Sequence, residues 1–263
     1  MTIVNGSLRP PLKWAGGKRW LVPRLLKLWT AANQQRLVEP FCGGLSVALA
    51  LQPSLALLND INPALINFYQ QLSKGLKIDL PLENDIDCYY RYRQEFNELN
   101  QQQADATRAA QLFYYLNRTG YNGLCRFNKS GGFNVPFGRY KSIHYQTDLS
   151  AYRQQLSAWE FSNTDFEQLM LQPGDFVYAD PPYDVPFTQY SRQGFNWQDQ
   201  QRLAEWLSRH QGPVVLSNQA TDRIKKLYRQ LGFKLTFVDA PRSISCKGNQ
   251  RVAVREVLAT RGF

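Results

Sequence analysis

The sequence is poor in the residues that build metal centres and disulfide frameworks. Its 263 residues include only two histidines, His144 and His210, and four widely spaced cysteines with no C-x-x-C pair. Scattered cysteines disfavour a disulfide scaffold and a zinc site, and the scarcity of histidine disfavours histidine-based metal catalysis. We therefore expect a function that uses no metal.

The chain also lacks a long apolar run and a secretory leader. Its most apolar window, SVALALQPSLALL, is interrupted by Gln52 and Pro53 and is shorter than the roughly 20 residues of a membrane-spanning helix. The N-terminal segment, MTIVNGSLRPPLKWAGGK, has no apolar stretch behind a basic head. These absences predict a cytoplasmic chain with no membrane partner.

Acidic residues are missing from two parts of the chain. The first acidic residue is Glu39, and the segment from Arg118 to Lys141 holds five basic residues, five aromatic residues and no acid. The whole chain has 31 Lys and Arg against 21 Asp and Glu, a net charge of +10. Basic side chains interleaved with aromatic rings suit a phosphate backbone and unstacked bases. Charge alone does not distinguish nucleic acid from an anionic membrane surface, so it indicates only a polyanionic partner.

Short apolar runs alternate with segments of helical spacing along most of the chain. The runs RLVEPF, LALLND, DFVYAD and PVVLSN alternate with helical patterns such as PALINFYQQL, QQRLAEWLSRH and DRIKKLYRQLGF. This alternation predicts an α/β fold with a doubly wound, mostly parallel sheet. The last two predicted strands, KLTFVDA and RVAVREVLAT, have no helical pattern between them and predict an antiparallel hairpin at one sheet edge.

The alternation is interrupted between residues 67 and 153. This part contains the helical stretch TRAAQLFYYLNR, the polar segment NELNQQQADA, which we expect to be a turn between helices, and the irregular basic and aromatic segment. We predict an inserted, mainly helical subdomain at 67–153 and a main domain formed by 1–66 and 154–263.

Two predicted strand ends suit an adenosine group, because ligands of open α/β sheets bind beyond the carboxyl ends of the strands. In EPFCGGL, Gly43 and Gly44 allow the backbone to approach a ligand closely, although a tight strand-to-helix turn is an equal interpretation. In LLNDIN, Asp60 can accept both hydroxyls of a ribose, or it can cap the next helix. No G-x-G-x-x-G pattern occurs, so a dinucleotide oxidoreductase is disfavoured.

A third strand end, Asp180-Pro181-Pro182-Tyr183, suits an amino group on a planar base. The lone pair of such a group is delocalised into the ring, and two acceptors are needed to polarise its hydrogens. The Asp180 carboxylate and the Pro181 carbonyl can supply them on a backbone that the prolines make rigid. Tyr183 would lie flat against the base. Taken alone, these residues have a second interpretation, an aspartate that caps a turn beside a packed tyrosine.

In their order along the chain, these stretches resemble the Dam-type adenine-N6 DNA methyltransferases, which modify GATC. The likeness rests on LKWAGGK, EPFCGG, NDIN, LNRTGYNGLCRFN, FNVPFGRYK and DPPY, and it covers nearly the whole chain. It implies a Rossmann-like methyltransferase sheet, S-adenosylmethionine as cofactor and double-stranded DNA as partner. It also implies that 1–66 and 154–263 form the catalytic domain and that 67–153 form a target-recognition domain.

The resemblance assigns roles to individual residues. The implied catalytic motif is Asp180, Pro181, Pro182 and Tyr183. The residues implied in cofactor binding are Trp14, Lys18, Phe41, Gly43, Gly44, Asp60, Ile61, Asp165, Phe166 and Asp180. Those implied in DNA binding are Lys13, Arg118, Tyr121, Asn122, Leu124, Arg126, Pro136, Arg139 and Tyr140.

Four of the implied DNA contacts concern base recognition. Arg126 resembles an arginine that reads a guanine edge in the major groove, and Lys13 resembles a lysine on the first guanine of the site. Leu124 and Pro136 would touch thymine methyl groups.

The remaining contacts concern the flipped base and the phosphates. Tyr121 and Asn122 would insert near the extruded adenine or fill the gap that it leaves, and Arg139 and Tyr140 would hold phosphates. The family implies that the adenine is flipped out and that the methyl group is transferred directly to N6, because N6 is inaccessible in the duplex. Each strand can be modified separately, so we expect a monomer. Either a restriction-modification system or an orphan enzyme fits this pattern.

Two other function classes share parts of the pattern. A DNA-binding regulator could keep this fold and lose turnover, but the intact DPPY argues against it. Methylation of RNA or of a protein side-chain amide is the other alternative. Related sites of that kind commonly carry asparagine where Asp180 stands, so the aspartate favours adenine.

Overall fold

The computed structural model describes residues 8–32, 36–184, 194–239 and 255–263. The strands in these ranges are β1 (Arg36–Glu39), β2 (Leu55–Asn59), β3 (Trp159–Ser162), β4 (Asp175–Ala179), β5 (Val214–Gln219), β6 (Lys234–Asp239) and β7 (Arg255–Arg261). The α-helices in the same ranges are α1 (Val22–Ala31), α2 (Ala48–Leu51), α3 (Pro63–Ser73), α4 (Ile86–Gln102), α5 (Ala106–Thr119), α6 (Ser150–Leu156), α7 (Trp197–Ser208) and α8 (Asp222–Gln230).

The strands of the described chain form one mixed sheet in the order β3-β2-β1-β4-β5-β7-β6. Parallel ladders join β1 to β2, β1 to β4 and β4 to β5. β7 runs antiparallel to both β5 and β6. The predicted Rossmann-like α/β sheet, mostly parallel with an antiparallel C-terminal hairpin, is confirmed. The hairpin strand β7 lies inside the sheet, and β6 forms its edge.

The backbone folds into two compact units. Among the described residues, the first unit comprises 8–19, 43–52 and 60–163, and the second comprises 20–32, 36–42, 53–59, 164–184, 194–239 and 255–263. These units are defined by packing and not by role. The division into a catalytic domain and a recognition domain at residues 67 and 153 therefore remains a prediction.

One predicted turn is shorter than expected. Helix α4 continues through Gln102, so most of the polar segment NELNQQQADA is helical and the turn begins only at Gln103. Glutamine, glutamate and leucine are good helix formers, and the Gln94 amide donates to Glu98 Oε1 one turn away at 2.9 Å. The helix is also fixed on its other face by buried aromatic residues such as Phe96, which is 1% exposed.

The core of the second unit explains why β4 and β5 end where they do. All five residues of β4 are buried, and so are the first five of β5. Both strands are therefore held rigidly up to their carboxyl ends, where polar residues follow.

In the described part of the chain, no helix has the length and apolar character needed to cross a membrane.

Candidate active site

The glycine turn after β1 lies against an indole ring within the first unit. Gly43 has a φ of +45°, and a Cβ there would come within 2.8 Å of Trp14 Nε1. A Cβ on Gly44 would come within 2.8 Å of Trp14 Cβ. Tyr69 fixes the same turn by donating its hydroxyl hydrogen to the Gly43 carbonyl at 2.7 Å. Only glycine fits this combination of backbone angle and close approach.

Asp60 is tied to the same turn. Its carboxylate accepts hydrogen bonds from the Gly43 amide at 3.1 Å and from the Asn62 amide at 3.0 Å. Burial raises the pKa of Asp60, and the two backbone hydrogen bonds oppose part of that rise. A carboxylate has about four lone-pair sites, so it can still accept two ribose hydroxyls. The structure thus brings Trp14, Gly43 and Asp60 together, and the Asp60 carboxylate keeps the capacity to accept further hydrogen bonds.

The alternative role of Asp60 as a helix cap is wrong. Helix α3 is capped by Asn62, whose side chain accepts hydrogen bonds from the backbone amides of Ala64 and Leu65. Asparagine is among the best N-cap residues, and Pro63 at the first helical position supports the same start. The Asp60 carboxylate therefore does not cap α3, and it accepts a hydrogen bond from the glycine turn instead.

Two further predicted cofactor residues of the first unit differ in exposure. Lys18 is 6% exposed, and its backbone amide donates to Ser46 Oγ at 3.1 Å. Ile61 is 71% exposed. An isoleucine this exposed beside Asp60 is able to cover an apolar ligand surface.

The other predicted cofactor residues lie in the second unit. The Phe41 and Phe166 rings are 5.8 Å apart, and Phe166 is 4% exposed. Asp165 accepts hydrogen bonds from the Arg202 guanidinium and the Glu167 amide, both at 3.0 Å. These contacts give Asp165 and Phe166 structural roles, and their contact with an adenine ring remains a prediction.

The DPPY motif, which the sequence predicts to be catalytic, begins directly after β4. Asp180 is half-buried, Pro181 is buried and Pro182 is exposed. The Ser217 hydroxyl, on the neighbouring strand β5, donates to Asp180 Oδ1 at 2.7 Å. The carboxylate therefore faces β5.

The rest of the motif is held by side chains from two other elements. The Pro182 carbonyl accepts from Gln200 Nε2, on α7, at 2.7 Å. The Tyr183 hydroxyl donates to Glu256 Oε2, on β7, at 2.8 Å. Burial, aided by the nearby charge of Asp180, raises the pKa of Tyr183 far above its ordinary value, so the phenol stays neutral.

Sequence reasoning missed these three supporting residues. Ser217 had a weak signal, because SNQ places polar residues at the end of an apolar strand. Gln200 and Glu256 gave no signal, since each sits in an ordinary helix or strand pattern and is buried only by tertiary packing.

The basic and aromatic segment folds as an irregular hairpin in the first unit. Antiparallel bridges pair Gly120 with Phe137 and Phe127 with Phe133. Between them, the Asn134 amide donates to the Arg126 carbonyl at 3.1 Å. We refer to residues 119–138 as the recognition hairpin.

Lys13 packs against this hairpin. Its ammonium group donates to the Arg118 carbonyl at 2.8 Å and lies 4.0 Å from the centre of the Tyr140 ring. The Asn117 side chain binds both the amide and the carbonyl of Lys13 at 2.8 Å. Burial, and then the charge of Arg118, lower the pKa of Lys13. The structure thus brings together Lys13, Arg118 and Tyr140.

Arg126 is exposed but held in one orientation. Its Nε donates to Asn134 Oδ1 at 2.8 Å, and its Nη2 donates to the Asn134 carbonyl at 3.1 Å. A guanidinium has five N–H groups in a planar fork, so others remain for a base edge.

The remaining predicted DNA contacts are spread along the hairpin and just beyond it. Tyr121 is 47% exposed, and Asn122 has a φ of 52°, a left-handed conformation that asparagine tolerates. Pro136 and Arg139 are exposed, and Leu124 is half-buried. No acidic residue lies among them.

Comparison with known proteins identifies the family of this chain. The family described as D12 class N6 adenine-specific DNA methyltransferase matches residues 14–244. The retron Ec67 DNA adenine methylase of Escherichia coli is 38% identical over 95% of this chain and 90% of its own length. The DNA adenine methylase of Vibrio cholerae serotype O1 is 38% identical, with 94% of each chain covered. That of Escherichia coli K12 is 37% identical over 94% of this chain and 93% of its own.

The matched range includes every residue in the glycine turn, the recognition hairpin and the DPPY motif. The activity of this family requires a methyl donor, DNA as substrate and an adenine amino group as acceptor. The chain belongs to the D12 class of N6 adenine-specific DNA methyltransferases.

Proposed function

We propose that this enzyme transfers the methyl group of S-adenosylmethionine to N6 of adenine in double-stranded GATC. The observation that carries the proposal is the DPPY motif, in which Ser217 orients the Asp180 carboxylate and Glu256 orients the Tyr183 ring. An oriented carboxylate beside a rigid proline carbonyl suits an exocyclic amino group, which has two hydrogens to donate.

The residues of the glycine turn fit an adenosine-containing methyl donor. Asp60 has acceptor capacity for the two ribose hydroxyls, and the glycines permit close approach next to Trp14. We assign the same ligand to Lys18, Phe41, Ile61, Asp165 and Phe166. Bound S-adenosylmethionine supplies the electrophilic methyl group at a sulfonium centre, whose positive charge favours aromatic and carboxylate neighbours.

Catalysis is assigned to the chain's own acceptors. The Asp180 carboxylate and the Pro181 carbonyl accept hydrogen bonds from the adenine amino group. These bonds strengthen as the nitrogen becomes tetrahedral and positively charged, so they stabilise the transition state more than the ground state. Pro182 keeps the backbone extended, and Tyr183 stacks on the base. Transfer is direct: the N6 nitrogen forms a bond to the methyl carbon as the bond from that carbon to sulfur breaks, and S-adenosylhomocysteine is the leaving group. The positively charged nitrogen then loses one proton to solvent. The reaction needs no covalent intermediate on the protein and no metal.

DNA recognition is assigned to the recognition hairpin and Lys13. Arg126 reads one guanine and Lys13 the other, while Leu124 and Pro136 contact thymine methyl groups. Arg118, Arg139 and Tyr140 bind phosphates.

The adenine is flipped out of the duplex, because its N6 group is otherwise paired and out of reach. Tyr121 and Asn122 fill the resulting gap. We assign catalysis to 1–66 and 154–263 and recognition to 67–153. A single chain is sufficient for this reaction, so we expect a monomer that acts on DNA in the cytoplasm.

The decisive assay measures incorporation of tritiated methyl groups from S-adenosylmethionine into duplexes that contain GATC or a single-base variant of it. We expect incorporation into GATC and a large loss with each variant. Equal incorporation into all duplexes would remove the GATC assignment and leave the adenine methyltransferase activity intact.

A cellular assay extends this test. DNA from cells that express the gene is digested with endonucleases that differ in sensitivity to adenine methylation at GATC. We expect the DNA to be protected against the endonuclease that methylation blocks and to be cut by the endonuclease that requires methylation. The reverse pattern would contradict the proposal.

A further inference from the structure

Ser217 and Asp180 are neighbours because of the register of the sheet. The parallel ladder between β4 and β5 pairs Ala179 with Leu216. Asp180 directly follows Ala179, the last residue of β4, and Ser217 follows Leu216 within β5. Ser217 is 1% exposed. Its hydroxyl is therefore carried by a rigid, buried strand and not by a loop.

The hydroxyl proton of Ser217 has three possible acceptors, of which the Tyr178 hydroxyl at 3.2 Å is a neutral group that can itself donate. Asp180 Oδ1 lies at 2.7 Å and the Ala179 carbonyl at 3.3 Å from Ser217 Oγ. The bond to the carboxylate is shorter and charge-assisted, and such bonds are roughly twice as strong as neutral ones. The proton of Ser217 is therefore directed at Asp180.

Tyr178 completes a chain of hydrogen bonds. Its hydroxyl lies 3.2 Å from Ser217 Oγ in a fully buried position. Burial raises the pKa of Tyr178 well above its ordinary value, and the charge of Asp180 adds to the rise, so the phenol keeps its proton. Since the Ser217 proton is directed at Asp180, Tyr178 donates to Ser217. The protons thus point in one direction, from Tyr178 through Ser217 to Asp180.

We propose that Ser217 is a positioning residue for methyl transfer, whose hydroxyl fixes the plane of the Asp180 carboxylate for the adenine amino group. This inference rests on the proposed role of Asp180. The terminal torsion of an aspartate is broad, so an unrestrained carboxylate samples many orientations. Small losses of alignment at a reacting centre are costly, because the pre-organised geometry replaces entropy that would otherwise be lost during reaction.

The other parts of the motif have independent anchors. The Pro182 carbonyl is held by Gln200 and the Tyr183 hydroxyl by Glu256. Removal of the Ser217 hydroxyl leaves both contacts in place. The effect of such a substitution should therefore be concentrated on the Asp180 carboxylate and on the chemical step.

The test separates the chemical step from binding. We expect Ser217→Ala to lower kcat about 10- to 100-fold, while KM for S-adenosylmethionine and for a GATC duplex changes less than about twofold. The cysteine side chain of Ser217→Cys has nearly the volume of serine and is a much weaker hydrogen-bond donor. This variant should show the same loss of kcat, and it replaces the alanine variant in the test if that variant does not fold. Ser208→Ala is the control, because the Ser208 hydroxyl donates to the Glu205 carbonyl of its own helix at 2.8 Å and has no assigned role in the reaction.

Two results overturn the inference. One is a kcat of the folded Ser217→Ala or Ser217→Cys enzyme within about twofold of wild type. The other is a rise in KM that accounts for the whole loss of kcat/KM. Asp180→Ala is measured alongside. If Asp180→Ala retains turnover, the proposed chemistry fails; if it is inactive while the Ser217 variants match wild type, only this inference fails.

Discussion

At the scale of the residue, Arg126 shows how one neighbour can prepare a side chain for recognition. Asn134 binds two of its guanidinium N–H groups, which restricts rotation of a side chain that is otherwise exposed. A restrained guanidinium loses less entropy when it meets the two acceptors of a guanine. The hydrogen bonds to Asn134 thus favour a base-reading role over that of a solvated surface charge.

We predict that Arg126→Ala relaxes discrimination at one guanine of GATC by about 1–3 kcal/mol, because a bidentate contact to that base is lost. The ratio of kcat/KM for GATC to that for the single-base variant should fall about 5- to 150-fold. Lys129→Ala, an exposed basic change in the same hairpin, is the matched control and should leave the ratio unaltered. An unchanged ratio for Arg126→Ala would remove the base-reading assignment.

Gly43 carries a second prediction at this scale. A methyl group there would press on the Trp14 ring in a backbone conformation that L residues rarely adopt. We expect Gly43→Ala to weaken S-adenosylmethionine binding by about 1–3 kcal/mol, as overpacking does elsewhere, measured by isothermal titration calorimetry.

Gly131→Ala is the matched control for this change. Gly131 also has a positive φ, +79°, but a Cβ there meets nothing within 4 Å. Gly131→Ala should lower the stability of the fold through backbone strain and leave the affinity for S-adenosylmethionine unchanged. Equal losses of affinity in both variants would show that strain, and not the contact with Trp14, decides the result.

At the scale of the element, the apolar strands and their order were predictable because burial dictates their composition. β4 and β5 consist of apolar runs bounded by polar residues, and this pattern specifies a buried parallel strand. β3 was not predicted, since three of its four residues are only partly buried or exposed. Strands of that kind carry little periodicity, and tertiary pairing decides whether they form.

An ion pair joins two central strands and yields a prediction about stability. Arg36 and Asp175 face each other in the β1–β4 register, and their side chains form two hydrogen bonds at 2.9 and 2.7 Å. The Asp175 side chain is 1% exposed. Arg36→Met leaves this buried carboxylate without its cation, and we expect the free energy of unfolding in urea to fall by about 3 kcal/mol.

Lys225→Met is the control for the ion pair. It breaks a pair with Asp222, whose side chain is 99% exposed, so we expect no measurable change in the urea midpoint. A similar midpoint for wild type and Arg36→Met would mean that the β1–β4 pair contributes nothing to the sheet.

At the scale of the whole molecule, the excess of basic residues predicts how DNA binding responds to salt. The net charge is +10, and the recognition hairpin and the residues just beyond it contain exposed basic side chains. Each phosphate contact releases condensed counterions, so affinity falls as salt rises. We expect Arg139→Ala to reduce the slope of log Kd against log salt by about 0.9 without altering sequence preference.

Lys27→Ala tests whether position matters in this salt response. Lys27 is an exposed residue of α1 in the second unit and has no assigned DNA contact. The slope of log Kd against log salt for Lys27→Ala should equal that of wild type. If Lys27→Ala and Arg139→Ala reduce the slope equally, net charge and not a defined phosphate contact governs binding.

The residues proposed for function were predictable in part. The roles that we propose for Gly43, Asp60 and Asp180 follow from their places after strands, since ligands bind at the carboxyl ends of parallel strands. Of the supporting side chains, Ser217 had only a weak signal in the sequence and Glu256 had none. Ser217 and Glu256 act through contacts that register and packing create, and neither is near Asp180 in the sequence.

We assign the Asp180 carboxylate to methyl transfer and not to DNA binding. Single-turnover transfer of tritiated methyl groups to a GATC duplex by Asp180→Ala tests this assignment, with Kd for the same duplex measured in parallel. We expect a rate lower by about a thousandfold or more with Kd unchanged, because an acceptor at the reacting centre is removed. A rate within a few-fold of wild type would contradict this assignment.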